Sequence, residues 1–192
     1  PNHNHQGVIA KIARAEFHYA SLEDIFDEAR RRNENLLVAI LDEITDTHNL
    51  GAIIRSAECA GFHGVIIPKH RSAEINATVI KTSAGAALHT RIAQVTNVTQ
   101  TIDTLKKQNV WIYGAVMTGE KNYDTMDSSD AVGIVIGSEG NGIRKLVAEH
   151  CDFLVKIPMY GKLNSLNASV AAGILFFEVI RQRKNKKTSK AD

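Results

Sequence analysis

Long apolar runs are missing from this sequence, and cysteine is close to missing. With only 2 cysteines among 192 residues, neither a disulfide framework nor a four-thiolate zinc site can be built. Cys59 and Cys151 both have apolar neighbours, which predicts core thiols in a reducing compartment. No apolar stretch reaches the roughly 18 residues that span a bilayer, and no secretory leader is visible. A cytoplasmic protein with no membrane contact is expected. No histidine or cysteine cluster has metal-ligand spacing. The sequence also lacks the strongly basic character of a self-sufficient nucleic-acid binder: its formal net charge is +2. Six of the 23 basic side chains, but only Asp192 of the 21 acidic ones, fall in residues 181–192, so the preceding body is mildly acidic, near −3.

What is present is globular. An apolar fraction of 44% and a charged fraction of 23% exclude wholesale disorder, and a chain this long buries most of its apolar surface without staples. A basic tail on an acidic body attracts polyanions, although a solvated, frayed terminus would carry the same charges. Residues 1–20, beginning PNHNHQGVIAKIARA, have no amphipathic period and read as a linker. Residues 21–183 read as one domain and 184–192 as the basic tail.

Within the domain, Ser21 and Asp24 form a capping-box pattern, followed by Leu22, Ile25, Phe26 and Ala29 at helical spacing. Arg30 to Arg32 close that helix favourably for its dipole. From residue 36 the chain alternates. LLVAIL (36–41), GVIIP (64–68), RIAQV (91–95), VWIYGAV (110–116), AVGIVIG (131–137) and FLVKIP (153–158) are apolar runs bounded by turn residues, as in strands buried on both faces. Helical stretches lie near 49–60, 76–87, 98–108 and 143–150, and a long one begins near Leu166. This alternation predicts an α/β fold, a parallel sheet flanked by helices. From Leu166 to Ile180 only Asn167, Ser169, Gly173 and Glu178 interrupt the apolar character, so the last helix must be covered on more than one face. It is either a central helix or a subunit interface, and a twofold homodimer is expected.

Three segments hold the chemistry. In DEITDTHNLGAIIRSAECAG (42–61), a helix from Asn49 buries Leu50, Ile53, Ile54 and Ala57. Gly51 and Arg55 then share a face turned away from that stripe; a capped helix with a solvated arginine explains the same residues. In IVIGSEGNGI (134–143) a strand enters a glycine-rich turn at the sheet edge where open α/β proteins bind ligands. Its spacing is neither a dinucleotide fingerprint nor a Walker loop, and tight turns alone use such glycines. In IPMYGKLNSLNASVAAG (157–173) a strand runs into a loop of small and amide residues, where Ser165 and Asn167 are natural helix caps.

Together, in this order and spacing, NLGAIIRSA, IVIGSEGNGI and IPMYGKLNSLNASVAAGI resemble the three signature motifs of the SpoU/TrmH branch of the SPOUT methyltransferases. The resemblance covers about residues 35 to 183 and is strongest to its bacterial 23S rRNA guanosine 2′-O-methyltransferases. It implies a SPOUT fold with a C-terminal trefoil knot, which periodicity does not show and which general topology disfavours. It also implies a homodimer with the active site at the interface, S-adenosylmethionine as cofactor, no metal, and 23S rRNA (or tRNA) as substrate. Asn49 and Arg55 match the first motif's functional pair, Glu139 the second motif's glutamate, and Ser165 and Asn167 the third motif's polar pair. Gly137, Ile157 and Leu166 match the positions whose backbone holds the cofactor, with Met159 beside them. Thr82, Ser83, Ala84 and Gly85 resemble the loop beside the adenosine. Thr47 replaces a frequent proline and Leu88 a frequent glutamate. Relatives of this type carry an N-terminal RNA-binding domain, so the opening residues are expected to be the linker that follows it.

The implied reaction moves a methyl group from a sulfonium to a ribose 2′-hydroxyl. A guanidinium stays protonated to above roughly pH 12, so Arg55 is expected to grip a phosphate or stabilise the developing alkoxide rather than act as the base. Two rivals stand beside this reading: a tRNA ribose methyltransferase of the same branch, and a non-catalytic RNA-binding module, against which the three intact motifs argue.

Overall fold

The computed structural model describes residues 17–188; residues 1–16, most of the expected linker, and 189–192, the end of the basic tail, lie outside the described residues. In chain order the elements are α1 (Leu22–Arg32), β1 (Leu37–Asp42), α2 (Thr47–Cys59), β2 (Gly64–Pro68), α3 (Ala77–Thr82), β3 (Ile92–Val95), α4 (Val98–Lys107), β4 (Trp111–Ala115), β5 (Lys121–Asn122), β6 (Val132–Gly137), α5 (Lys145–His150), β7 (Phe153–Lys156) and α6 (Ala168–Thr188). Single 3-10 turns lie at Ala86–Leu88 and Tyr123–Thr125.

The strands form one sheet in the order β3-β2-β1-β6-β4-β7-β5, and every neighbouring pair is parallel. Parallel strands must be joined by crossovers, which place helices on both faces. The strands are accordingly apolar on both sides. Leu37, Ala39 and Leu41 of β1 pack with Leu50, Ile53 and Ile54 of α2 and with Leu175, Phe176 and Val179 of α6. Val38 and Ile40 pack instead with Ile25 of α1, Ile102 and Leu105 of α4, and Val147 of α5. The late strands are inserted between earlier ones, β6 between β1 and β4 and β7 between β4 and β5. The carboxyl ends of β4, β6 and β7 therefore meet where the strand order breaks, the usual ligand crevice of an open α/β sheet.

The parallel α/β architecture matches the sequence expectation, and so does the capping box: Asp24 N–H donates to Ser21 Oγ at 3.1 Å and Ser21 N–H to Asp24 Oδ2 at 2.7 Å. Several details differ. β5 has only two residues, both exposed, and leaves no apolar signature. The stretch 76–87 is not one helix: α3 stops at Thr82, and Ala84 (φ 51°) and Gly85 (φ 86°) turn the backbone left-handed before the 3-10 turn. Gly51 is buried, not turned outward, because the end of α3 lies against it and a Cβ there would overlap Thr82. Residues 17–20 belong to the folded domain. Ala20 N–H donates to the Ile92 carbonyl at 2.8 Å, and the Tyr19 hydroxyl accepts from Ile75 N–H at 3.2 Å. The C-terminus is helical through Thr188, and its first basic residues serve the fold. Arg181 pairs with Glu178 at 2.7 Å. Arg183 donates to the carbonyls of Ser128, Asn35 and Asp130 at 2.8, 2.8 and 2.6 Å.

The cysteines are a further correction. Cys59 is exposed and Cys151 half-buried, since Cys59 lies about 200° around α2 from the buried Ala57. Burial pushes the Cys151 thiol up to about 12, and its Sγ–H points at the Val147 carbonyl, 3.4 Å away. Thiolate is the reactive form. Brief iodoacetamide treatment of the native protein at neutral pH should therefore label Cys59 and spare Cys151 until denaturant is added, as read by peptide mass spectrometry. Equal native labelling of both would contradict this packing.

Candidate active site

Asn167 joins the three motif segments. As the residue before α6, it accepts with Oδ1 from Ser169 N–H at 2.9 Å and Val170 N–H at 3.3 Å, capping the helix as amide side chains do. Its Nδ2 is then free to face the other way. It donates to Asn49 Oδ1 at 2.9 Å, in the first turn of α2, and to Glu139 Oε1 in the glycine-rich loop. Asn49 is held there because Asp46 caps α2, its Oδ1 accepting from Asn49 N–H at 2.7 Å.

The loop carrying Glu139 is a narrow turn. Ser138 and Gly142 exchange both backbone hydrogen bonds, at 3.1 and 2.9 Å. Gly142 has a φ of 66°, and a Cβ on Gly137 would overlap the backbone of Gly142 and Ile143. Gly137 is thus required by the folded-back loop itself, beyond the backbone contact with the cofactor that the family resemblance implies. Beyond the loop, Arg144 is anchored on Asp42, the last residue of β1. The fully buried Asp42 carboxylate accepts from Arg144 N–H, Nε and Nη2 at 2.8, 2.9 and 2.7 Å. This bidentate pair holds the Arg144 guanidinium still more firmly protonated and fixes where the loop returns to the fold.

Between the loop and the chain following β7 lies a cleft of about 960 Å³, at the upper end of the range for small-molecule sites. Gly137, Glu139, Ile157, Met159, Ser165, Leu166 and Asn167 all line it. Ile136, Val155 and Leu175 add apolar wall, and Asn141, Asn164 and Thr118 add polar groups. Ser165 lines the cleft without capping α6; that task falls to Asn167. Asn49 touches the cleft only through Asn167. Arg55 is exposed on α2, is not among the cleft residues, and makes no ion pair among the described residues. Thr82, Ser83, Ala84 and Gly85 are not brought to the cleft either. They end α3, where Thr82 Oγ1 donates to the Thr78 carbonyl at 2.9 Å and Ser83 Oγ, buried, accepts from Ala87 N–H at 3.2 Å. The Asp42–Arg144 anchor escaped the sequence reading. The only trace of it there is an acid ending an apolar strand and an arginine just past the last loop glycine.

Known proteins bear on this arrangement. The model of the SpoU rRNA Methylase family matches residues 36–177. The 23S rRNA (guanosine-2′-O-)-methyltransferase RlmB of Xanthomonas campestris is 49% identical over 180 residues, 93% of this chain and 71% of that protein. The SpoU methyltransferase AviRb of Streptomyces viridochromogenes, solved in complex with the cofactor AdoMet, superimposes with a TM-score of 0.79 at 27% identity, covering 88% of this chain and 67% of that one. The TrmH/SpoU tRNA modifying enzyme of A. aeolicus gives 0.74 at 27% identity, over 85% and 86% of the two chains. The family match spans all three segments that Asn167 and its cleft draw together, so the chain belongs to the SpoU rRNA methylase family.

Proposed function

We propose that this chain transfers a methyl group from S-adenosylmethionine to a ribose 2′-hydroxyl of 23S rRNA, at a guanosine, in the cytoplasm. The observation that carries the reading is the Asn49–Asn167–Glu139 cluster at the edge of the cleft, together with the relatives' names. The cleft suits the cofactor. Ile136, Ile157 and Leu175 offer apolar wall for an adenine ring, while the loop and chain backbone at Gly137, Ile157 and Leu166 offer polar groups for its edges. When bound, S-adenosylmethionine supplies a methyl group activated by its sulfonium, with a neutral thioether as leaving group, so no metal is needed.

The chain's own residues then have to align the hydroxyl and manage its proton. Asn167 holds one oxygen of Glu139, and the other is open to accept from a ribose hydroxyl. Ser165 offers a second hydroxyl contact at the same rim. Arg55 serves as an electrostatic partner for a phosphate or for the developing alkoxide. In α2, however, Arg55 lies about 120° around the helix axis from Asn49, so it points away from its own chain's cleft.

A twofold dimer resolves this. Tyr160 and Leu163 before α6, and Val170 and Phe177 on it, are 96, 80, 50 and 52% exposed. Val170 and Phe177 are seven residues apart and share a face, an apolar surface of the kind monomers seldom leave open. We infer that this surface pairs two copies and that Arg55 completes the cleft of the partner. The insertion of β6 and β7 between earlier strands, with α6 packed back on α2, suits the trefoil knot that the family resemblance implies.

Calorimetry with chelator present should show S-adenosylmethionine binding, and Gly137→Ala should abolish it because the added Cβ displaces the loop. Binding that needs a metal, or survives in the variant, would contradict the cleft assignment. Arg55→Ala and Asn167→Ala should each lower methyl transfer to rRNA by at least about 100-fold. Mixing the two variant chains should restore about one quarter of wild-type transfer, because half of randomly paired dimers are mixed and each holds one intact site. No recovery on mixing would place Arg55 in its own chain's site or outside the mechanism. Parallel assays on 23S rRNA and tRNA transcripts decide the substrate, and label entering tRNA alone would favour the tRNA reading.

A further inference from the structure

We propose that the turn after β2, Lys69–Arg71, grips the backbone phosphates of the RNA next to the modified nucleotide. The proposal rests on the methyl-transfer reading above and adds a substrate-binding surface outside the cleft.

Two runs of three consecutive Lys, Arg or His side chains precede α6, Arg30–Arg32 and Lys69–Arg71, and they differ in setting. The first is consumed internally. Arg31 and Arg32 converge on the buried carboxylate of Glu28 at 2.6 and 2.7 Å, and their hydrogen bonds hold that carboxyl down at about 2. Arg30 pairs with Glu23 and Asp27. The second run stands open. Lys69, His70 and Arg71 are exposed, and the Lys69 and His70 side chains have no hydrogen-bonding or ionic partner among the described residues.

The turn is also built in a way its internal contacts do not repay. Arg71 has a φ of 58°, and so does Glu43 at the end of the neighbouring strand β1. Neither is glycine, and L side chains rarely adopt such a conformation. The only ionic contact between them is 3.3 Å long, with Arg71 75% exposed, a pair of the type that contributes little. What holds the geometry is backbone hydrogen bonding and one hydroxyl. Ala73 N–H donates to the Ile44 carbonyl at 2.8 Å, Ser72 Oγ to the same oxygen at 3.3 Å, and Lys69 N–H to the Val95 carbonyl at 2.7 Å. The result is a stiff turn at the carboxyl edge of the sheet that presents cations to solvent.

That edge is the one on which the cleft opens, and a chain of contacts joins the two. Glu43 also lies 3.4 Å from Arg144 Nε, and Arg144 ends the loop that carries Glu139. In a body that is otherwise mildly acidic, the exposed Lys69 and the weakly paired Arg71 beside the site are suited to one polyanionic ligand, the phosphodiester backbone of the substrate.

The test is equilibrium binding of an unmodified 23S rRNA transcript to the whole chain across a salt series. Lys69→Ala combined with Arg71→Ala should weaken binding about tenfold at 0.1 M salt. It should also flatten the dependence of log K on log salt by one to two ions. The KM for RNA should rise with kcat and S-adenosylmethionine affinity unchanged. Lys69→Gln, which leaves the Arg71–Glu43 contact in place, should flatten the slope by about one ion. Lys107→Ala, the same charge loss at the opposite edge, should match wild type. Wild-type affinity and slope in the double variant and in Lys69→Gln would overturn this proposal while leaving the methyl-transfer reading intact. A wild-type chain that binds S-adenosylmethionine but not the transcript would overturn this proposal and the choice of rRNA as substrate together.

Discussion

The site depends on the divided hydrogen bonding of one amide. An asparagine side chain has an acceptor and a donor end, and at Asn167 both are committed. The oxygen closes the first turn of α6, and the nitrogen reaches Asn49 and Glu139. A serine or aspartate would cap the helix as well but could not donate two hydrogen bonds across the gap. The start of α2, the glycine-rich loop and the start of α6 therefore share a single junction, and helix capping and site assembly are the same event.

The loop that meets this junction is fixed from its other end by the Asp42–Arg144 pair. A buried carboxylate is costly unless fully satisfied, and Asp42 accepts three hydrogen bonds from one residue. Asp42 lies opposite Gly137 in the β1–β6 register, so the same rung of the sheet carries both the anchor and the glycine over which the loop folds. Together they fix Glu139 between a rigid strand end and a helix cap, the preorganisation that its proposed role calls for.

Much of the fold was legible because it follows from local rules. The Ser21–Asp24 capping box and the doubly buried apolar strands at 36–41 and 131–137 could be read directly, since each signal is complete within a few residues. The site was legible only as separate motifs. Asn167 reads as a cap, but its bonds to Asn49 and Glu139 span 118 and 28 residues, and the Asp42–Arg144 pair spans 102. Gly51 was misplaced because its burial comes from α3, an element on which the helical period of α2 has no bearing. Cys59 was misplaced for the opposite reason: its apolar neighbours in sequence outweighed the period, which turns it outward.

Nucleoside mass spectrometry of the RNA tests most directly the proposed methylation of a ribose hydroxyl in rRNA by this cluster. Unmodified 23S rRNA incubated with the chain and S-adenosylmethionine should gain 2′-O-methylguanosine at a single position, and should gain none when Asn167→Ala, folded by circular dichroism, replaces the wild type. Methylation on a base nitrogen or carbon, or an unchanged yield of 2′-O-methylguanosine from the Asn167 variant, would contradict it.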